Sequence, residues 1–335
     1  MAKNYPFDIL NHMSTDPSAD KSILSNRPFC SWKNSLAADA ERFAPGNELE
    51  VAINTAIAVG EPLLITGEPG TGKTQAAYYA AYKLGLGDVL HFQVKSTSSA
   101  ADLLYEFDTV RYFHDASVSS TVTRTSLGKI YSAADLPDKK EYVEKRDLWL
   151  AFESETPRVL LIDEIDKAPR DFPNDLLFEL DQMQFKVPET QQVIPPEPNK
   201  ANTPIVFITS NSERRLPEPF LRRCVYHHIY FSEELLGLAV QNRRDEYEHL
   251  SDDFLKLAIS KFLWLREQRL NKTPSTAEFL VWLRVLAYHS KVDSLGWKQM
   301  LHDIEVESGA IPHASVLLKN EQDLEALGTR RAPMR

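Results

Sequence analysis

The chain has 335 residues, 43% hydrophobic and 26% charged, with 38 Lys and Arg against 48 Asp and Glu for a formal charge of −10. That length predicts about two domains, and the composition excludes a mainly disordered, collagen-like or low-complexity protein. The acidic balance argues against non-specific binding of nucleic acid through its phosphates.

The opening residues, MAKNYPFDILNHMSTDP, place no cationic end before a sustained apolar run, so no secretory signal is read there. No stretch approaches the roughly 18 apolar residues of a membrane span, and the expected location is the cytoplasm. Cys30 and Cys224 belong to no C-x-x-C or Cys/His pattern and are expected as ordinary buried or half-buried thiols. Residues 1–45 contain Pro6, Pro17, Pro28 and Pro45 and read as an irregular arm with a short helix from Ser35 to Arg42.

Glu48 to Val59 has helical periodicity, and Pro62 to Thr66 (PLLIT) is a short apolar run suited to a buried strand. A glycine cluster follows in GEPGTGKT, then a predicted helix over Gln75 to Leu84. Further buried strands are expected at Val89 to Val94, Val159 to Ile162, Ile205 to Thr209 and Tyr226 to Phe231, with a helix over Asp175 to Met183. Between Leu104 and Leu148, Ser and Thr cluster at 117–126 and charges at 138–147 without a firm period, so an insertion with loops is expected at about 105–148. No internal repeat is visible. From Glu233 to Leu327 come about five amphipathic segments, including Asp252 to Leu270 and Ala277 to Tyr288. The fold class is therefore α/β, a largely parallel sheet covered by helices, followed by a smaller all-helical domain. The expected division is an arm at 1–45, an α/β domain at 46–231 and a helical lid at 232–335.

Four short stretches carry the chemistry. GEPGTGKT and the Gln75 after it, that is Gly67, Glu68, Pro69, Gly70, Thr71, Gly72, Lys73, Thr74 and Gln75, make a strand–turn–helix passage whose backbone N–H groups suit phosphate oxygens. Lys73 would reach the β and γ phosphates and the Thr74 hydroxyl would hold Mg²⁺. In VLLIDEIDK, Asp163 and Glu164 stand at a strand end, where open sheets place ligands. Asp163 would contact Mg²⁺ through water and Glu164 would polarise the water attacking the γ-phosphate. Asp166 and Lys167 are expected in surface or interface ion pairs. In IVFITSN, Asn211 would orient water or phosphate, and in LPEPFLRRC, Arg222 or Arg223 would neutralise developing phosphoryl charge.

In this order and spacing, GEPGTGKT, LLIDEIDKA, ITSN and LPEPFLRRC resemble an AAA+ ATPase, in particular the MoxR-type group, over about Leu49 to Phe231. The resemblance implies that Lys73 and Thr74 are Walker A residues, Asp163 and Glu164 Walker B, Asn211 sensor 1 and Arg223, or alternatively Arg222, the arginine finger serving a neighbouring subunit. It also implies a P-loop sheet of order 5-1-4-3-2, ATP with Mg²⁺ as cofactors, a homo-oligomeric hexameric ring and a protein client carrying a von Willebrand factor A domain. Two departures stand out. The family's Gly-Pro-Leu or Gly-Pro-Ile segment has its nearest counterpart in Ser126-Leu127-Gly128. Ala277 occupies the place of the sensor 2 arginine, and Arg284, one or two turns onward, reads either as a substitute or as a solvated or ion-paired arginine. The expected function is ATP-driven remodelling or chaperoning of a protein. The alternatives are a nucleic-acid-linked motor or restriction-type NTPase, and a slow nucleotide-dependent binding switch.

Overall fold

The computed structural model describes residues 35–124, 137–197, 199–292, 294–305 and 311–328. Cys30, most of the N-terminal arm and Ser126-Leu127-Gly128 lie outside the described residues. The chain forms two compact units. One comprises Asn47–Gly67 and Lys73–Ile229; the other comprises Glu68–Gly72, Tyr230 onward and the described end of Met1–Gly46.

The first unit is built on five strands: β1 (Leu63–Gly67), β2 (Leu90–Gln93), β3 (Val159–Asp163), β4 (Ile205–Ser210) and β5 (Val225–Ile229). All neighbours pair in parallel, in the order β2-β3-β4-β1-β5. Read from the opposite edge this is 5-1-4-3-2. Register pairs such as Leu63 with Phe207 and Leu160 with Val206 bring apolar runs side by side. Leu63, Leu64, Ile65, Leu160, Leu161, Ile162, Phe207 and Ile208 are fully buried, as expected of central parallel strands covered on both faces. The helices α1 (Gly46–Val59), α2 (Lys73–Leu84) and α3 (Asp147–Glu153) accompany the sheet. α2 buries Ala76, Ala77, Ala80 and Ala81, whose small side chains allow it to pack closely on β3.

The described parts of the expected insertion are more regular than the sequence reading. Tyr105–Phe107 pairs antiparallel with Val143–Lys145, and Thr109–Arg124 is a 16-residue helix running through the first part of the Ser/Thr cluster. A second antiparallel pair, Phe185–Val187 with Gln192–Ile194, was not expected. The single helix read over Asp175 to Met183 is two short ones, Phe172–Asp175 and Leu177–Gln182, because the helical hydrogen-bonding breaks at Leu176 and Met183 turns left-handed at φ 47°. β5 stops at Ile229, two residues short of its expected end.

Among its described residues the second unit is helical: α4 (Glu233–Gln241), α5 (Asp252–Glu267), α6 (Thr276–Val292) and α7 (Ser294–Glu305), with shorter turns after them. Its helix starts are written in the sequence. The Ser232 and Ser251 hydroxyls accept the N–H groups of Leu235 and Phe254 at 3.1 and 3.2 Å. Ser275 and Glu278 form a reciprocal capping box, with the Ser275 N–H donating to Glu278 at 2.8 Å. Phe262, Phe279, Trp282, Leu283 and Leu286 are fully buried in the core of this unit. The indole N–H of Trp282 donates to the Pro312 carbonyl at 2.7 Å. Among the described residues no helix is long and apolar enough to cross a membrane.

Candidate nucleotide site

The ends of β1, β3 and β4 meet the start of α2 along one edge of the sheet. Between β1 and α2 the backbone passes through Gly70 at φ 75° and Gly72 at φ 93°, conformations that side-chain-bearing residues rarely adopt. A Cβ on Gly70 would lie 2.5 Å from the Ser275 hydroxyl, and one on Gly72 would lie 2.5 Å from the Phe43 ring. Glycine is therefore required twice over, for backbone angle and for space. Within the turn the Thr71 hydroxyl donates to the Glu68 carbonyl at 2.8 Å. Lys73 is buried and its ammonium donates to the Gly67 carbonyl at 2.9 Å.

Thr74, in the first turn of α2, donates its hydroxyl to Asp163 Oδ1 at 3.0 Å. The Asp163 carboxylate also accepts from the Thr209 hydroxyl at 2.5 Å and faces His91 Nε2 at 3.3 Å. Burial pushes its pKa up, but the hydrogen bonds from His91, Thr209 and Thr74 outweigh that and hold it below the ordinary carboxylate value. A hydroxyl and a carboxylate oxygen side by side are hard donors suited to Mg²⁺, which keeps several waters and completes its shell with phosphate oxygens. Among the described residues no group of three or more His, Cys, Asp or Glu offers a self-sufficient metal site. The pair therefore fits a metal carried in with a phosphorylated ligand.

Glu164 follows with a left-handed backbone, φ 61° and ψ 51°. Its N–H donates to Thr209 Oγ1 at 2.8 Å. Its carboxylate takes the Gln93 amide at 2.8 Å, the Asn211 amide at 3.1 Å and the Lys167 ammonium. The structure thus brings together Lys73, Thr74, Asp163, Glu164 and Asn211. Lys167 is in an ion pair as expected, but Asp166 is not. It is 3% exposed and accepts the backbone N–H groups of Asn211 and Glu213 at 3.2 and 3.0 Å. It anchors the turn after β4 instead of pairing with a cation.

The two arginines point to other partners. Arg223 donates to Asp181 at 2.6 Å and to the Pro219 carbonyl at 2.9 Å, while the exposed Arg222 pairs with Glu218 at 3.3 Å. Arg284 is held by Glu246 at 2.5 and 3.0 Å. In the same helical unit, Arg266 pairs with Glu68 at 2.9 Å and lies over the Phe231 ring at 3.8 Å. Sequence reading did not single out Arg266, His91, Gln93 or Thr209. For β2 the available signal was the polar alternation of His91 and Gln93 in an otherwise apolar run, which puts both on one face. The Cys224 thiol is half-buried, and burial pushes it up to about 12, consistent with an inert thiol.

Residues 62–224 match the family model described as AAA domain (dynein-related subfamily). The match spans just under half of the chain. It includes four of the five strands of the sheet, β1 to β4, together with Arg222 and Arg223. Among solved structures, the chain is similar to one described as a "putative ATPase" from Cytophaga hutchinsonii, at 16% identity and a TM-score of 0.39, over 81% of this chain and 84% of that one. No curated protein matches the chain. These matches do not distinguish the MoxR subgroup.

Proposed function

We propose that the chain is an Mg²⁺-dependent ATPase whose nucleotide site lies at the edge formed by β1, β3 and β4. The observation that carries this reading is the 3.0 Å contact of Thr74 with Asp163, which joins the phosphate-turn helix to the acid-bearing strand. Bound Mg²⁺ would neutralise phosphate charge and fix the phosphate geometry. Thr74 and Asp163 would hold that ion, and Lys73 would exchange its carbonyl partner for phosphate oxygens. Glu164 accepts a proton from the attacking water while Asn211, already bonded to it, orients the pair. Arg223, with Arg222 as the alternate, is assigned to the nucleotide of a neighbouring copy, which fits their lack of bonds to the residues above.

On this reading the protein is MoxR-like, works as a hexameric ring in the cytoplasm and remodels a protein client, with a von Willebrand factor A domain as the expected client feature. These finer assignments rest on the motif resemblance. A slow binding switch is the second reading, favoured by the engagement of Glu164 with Gln93, Asn211 and Lys167. Phosphate release by the purified full-length chain tests both. Lys73→Ala is expected to abolish nucleotide binding, and Glu164→Gln to retain binding while losing turnover by at least about 100-fold. Unchanged turnover in both variants refutes the ATPase assignment. Measurable binding with negligible wild-type turnover, with or without added protein, selects the switch.

A further inference from the structure

The end of β4 contains a hydroxyl that the nucleotide reading leaves unexplained. Thr209 is fully buried and follows Val206, Phe207 and Ile208 on an apolar strand, where packing alone would accept valine. Its Oγ1 accepts the Glu164 N–H at 2.8 Å and donates to Asp163 Oδ1 at 2.5 Å. One contact uses a lone pair and the other uses the single proton, so the direction of the O–H is set. Oδ1 is also the atom that receives the Thr74 hydroxyl. The other oxygen, Oδ2, faces His91 Nε2, whose Nδ1 lies 3.0 Å from the Tyr78 hydroxyl. Asp163 is therefore gripped from α2, β2 and β4. Among these three grips Thr209 alone reaches Glu164 as well.

We propose that Thr209 is a positioning residue that locks Asp163 and Glu164 into one fixed arrangement and so aims the Asp163 carboxylate at Mg²⁺. The inference rests on the nucleotide reading above. Groups that orient a metal ligand from behind typically change metal affinity or activity by about 10–100-fold when removed. A hydroxyl that merely filled space would not change the metal dependence of binding.

The test is titration of the full-length chain with a fluorescent ATP analogue, once with Mg²⁺ and once with EDTA, with folding monitored by circular dichroism. The wild type is expected to bind more tightly with Mg²⁺. Thr209→Val should lose about 10-fold or more of that Mg²⁺-dependent gain while keeping its affinity in EDTA, and Thr209→Ser, which keeps the hydroxyl, should restore it. Thr209→Ala, which removes the hydroxyl without branching, should behave like the valine variant. The proposal is overturned if the valine and alanine variants keep the Mg²⁺ gain, or if they lose affinity equally in EDTA. It is overturned too if neither folds, since Thr209 would then be structural. A wild type whose binding ignores Mg²⁺ overturns the metal reading itself. A wild type with the Mg²⁺ gain and unaltered variants overturns only the role of Thr209.

Discussion

Asp166→Ala removes a carboxylate that is 3% exposed and holds the backbone N–H groups of Asn211 and Glu213 at 3.2 and 3.0 Å. Hydrogen bonds to a charged group contribute about 1.5–3 kcal/mol each, and a buried donor left without a partner costs about 1–3 kcal/mol. Glu213 is exposed and Asn211 half-buried, so water replaces most of the first bond and part of the second. The expected net cost is about 3 kcal/mol. For a unit of about 180 residues this lowers the melting temperature by roughly 6–12 °C. Hydrogen exchange read by mass spectrometry localises the effect. Peptides spanning 210–215 should lose protection while those over β1 keep theirs. Asp166→Asn, which retains one acceptor, should fall between. Unchanged protection at 211 and 213, with a melting temperature within about 1 °C of wild type, would refute the anchoring role.

Two further outcomes are expected. Asp163 titrates below its ordinary 3.8 in the folded chain, so it stabilises the fold above that value and the contribution fades as pH falls through the folded pKa. Asp163→Asn should therefore flatten part of the stability loss as pH falls below 3.8 in thermal melts, and parallel curves for the two proteins would contradict this. Trp282→Ala empties a fully buried site and frees the Pro312 carbonyl, costing about 3–5 kcal/mol. Exchange should accelerate across α5 and α6, and unchanged rates there would contradict the assignment of Trp282 to the core.

The central sheet was legible because Leu63–Ile65, Val159–Ile162 and Ile205–Ile208 are unbroken apolar runs, the signature of strands with two covered faces. Asp163, Glu164 and Asn211 drew attention because they stand at or just past the polar end of such a run, and Lys73 and Thr74 because they follow a glycine turn at the start of a helix. Three-residue strands such as Phe185–Val187 carry too few positions to show a period. The helix Thr109–Arg124 leaves Val110 and Phe113 exposed and has no apolar stripe for sequence to reveal. The anchoring role of Asp166 and the contacts of Thr209 escaped sequence reading for another reason. Their partners lie about 45 positions away in the chain or on the backbone itself, and no local pattern encodes a hydrogen bond across neighbouring parallel strands. Arg266 escaped notice because its bond to Glu68 spans 198 positions.

The left-handed backbone at Glu164 has a practical corollary. A residue other than glycine pays about 1–2 kcal/mol for that conformation, so a carboxylate stands where conformational preference alone would choose Gly or Asn. On the function proposed above, heat tolerance and reactivity make opposite demands at this position. A library enriched only for survival at elevated temperature would then drift toward substitutions at 164 that remove the proposed base, so a thermostabilised version should hold that residue constant.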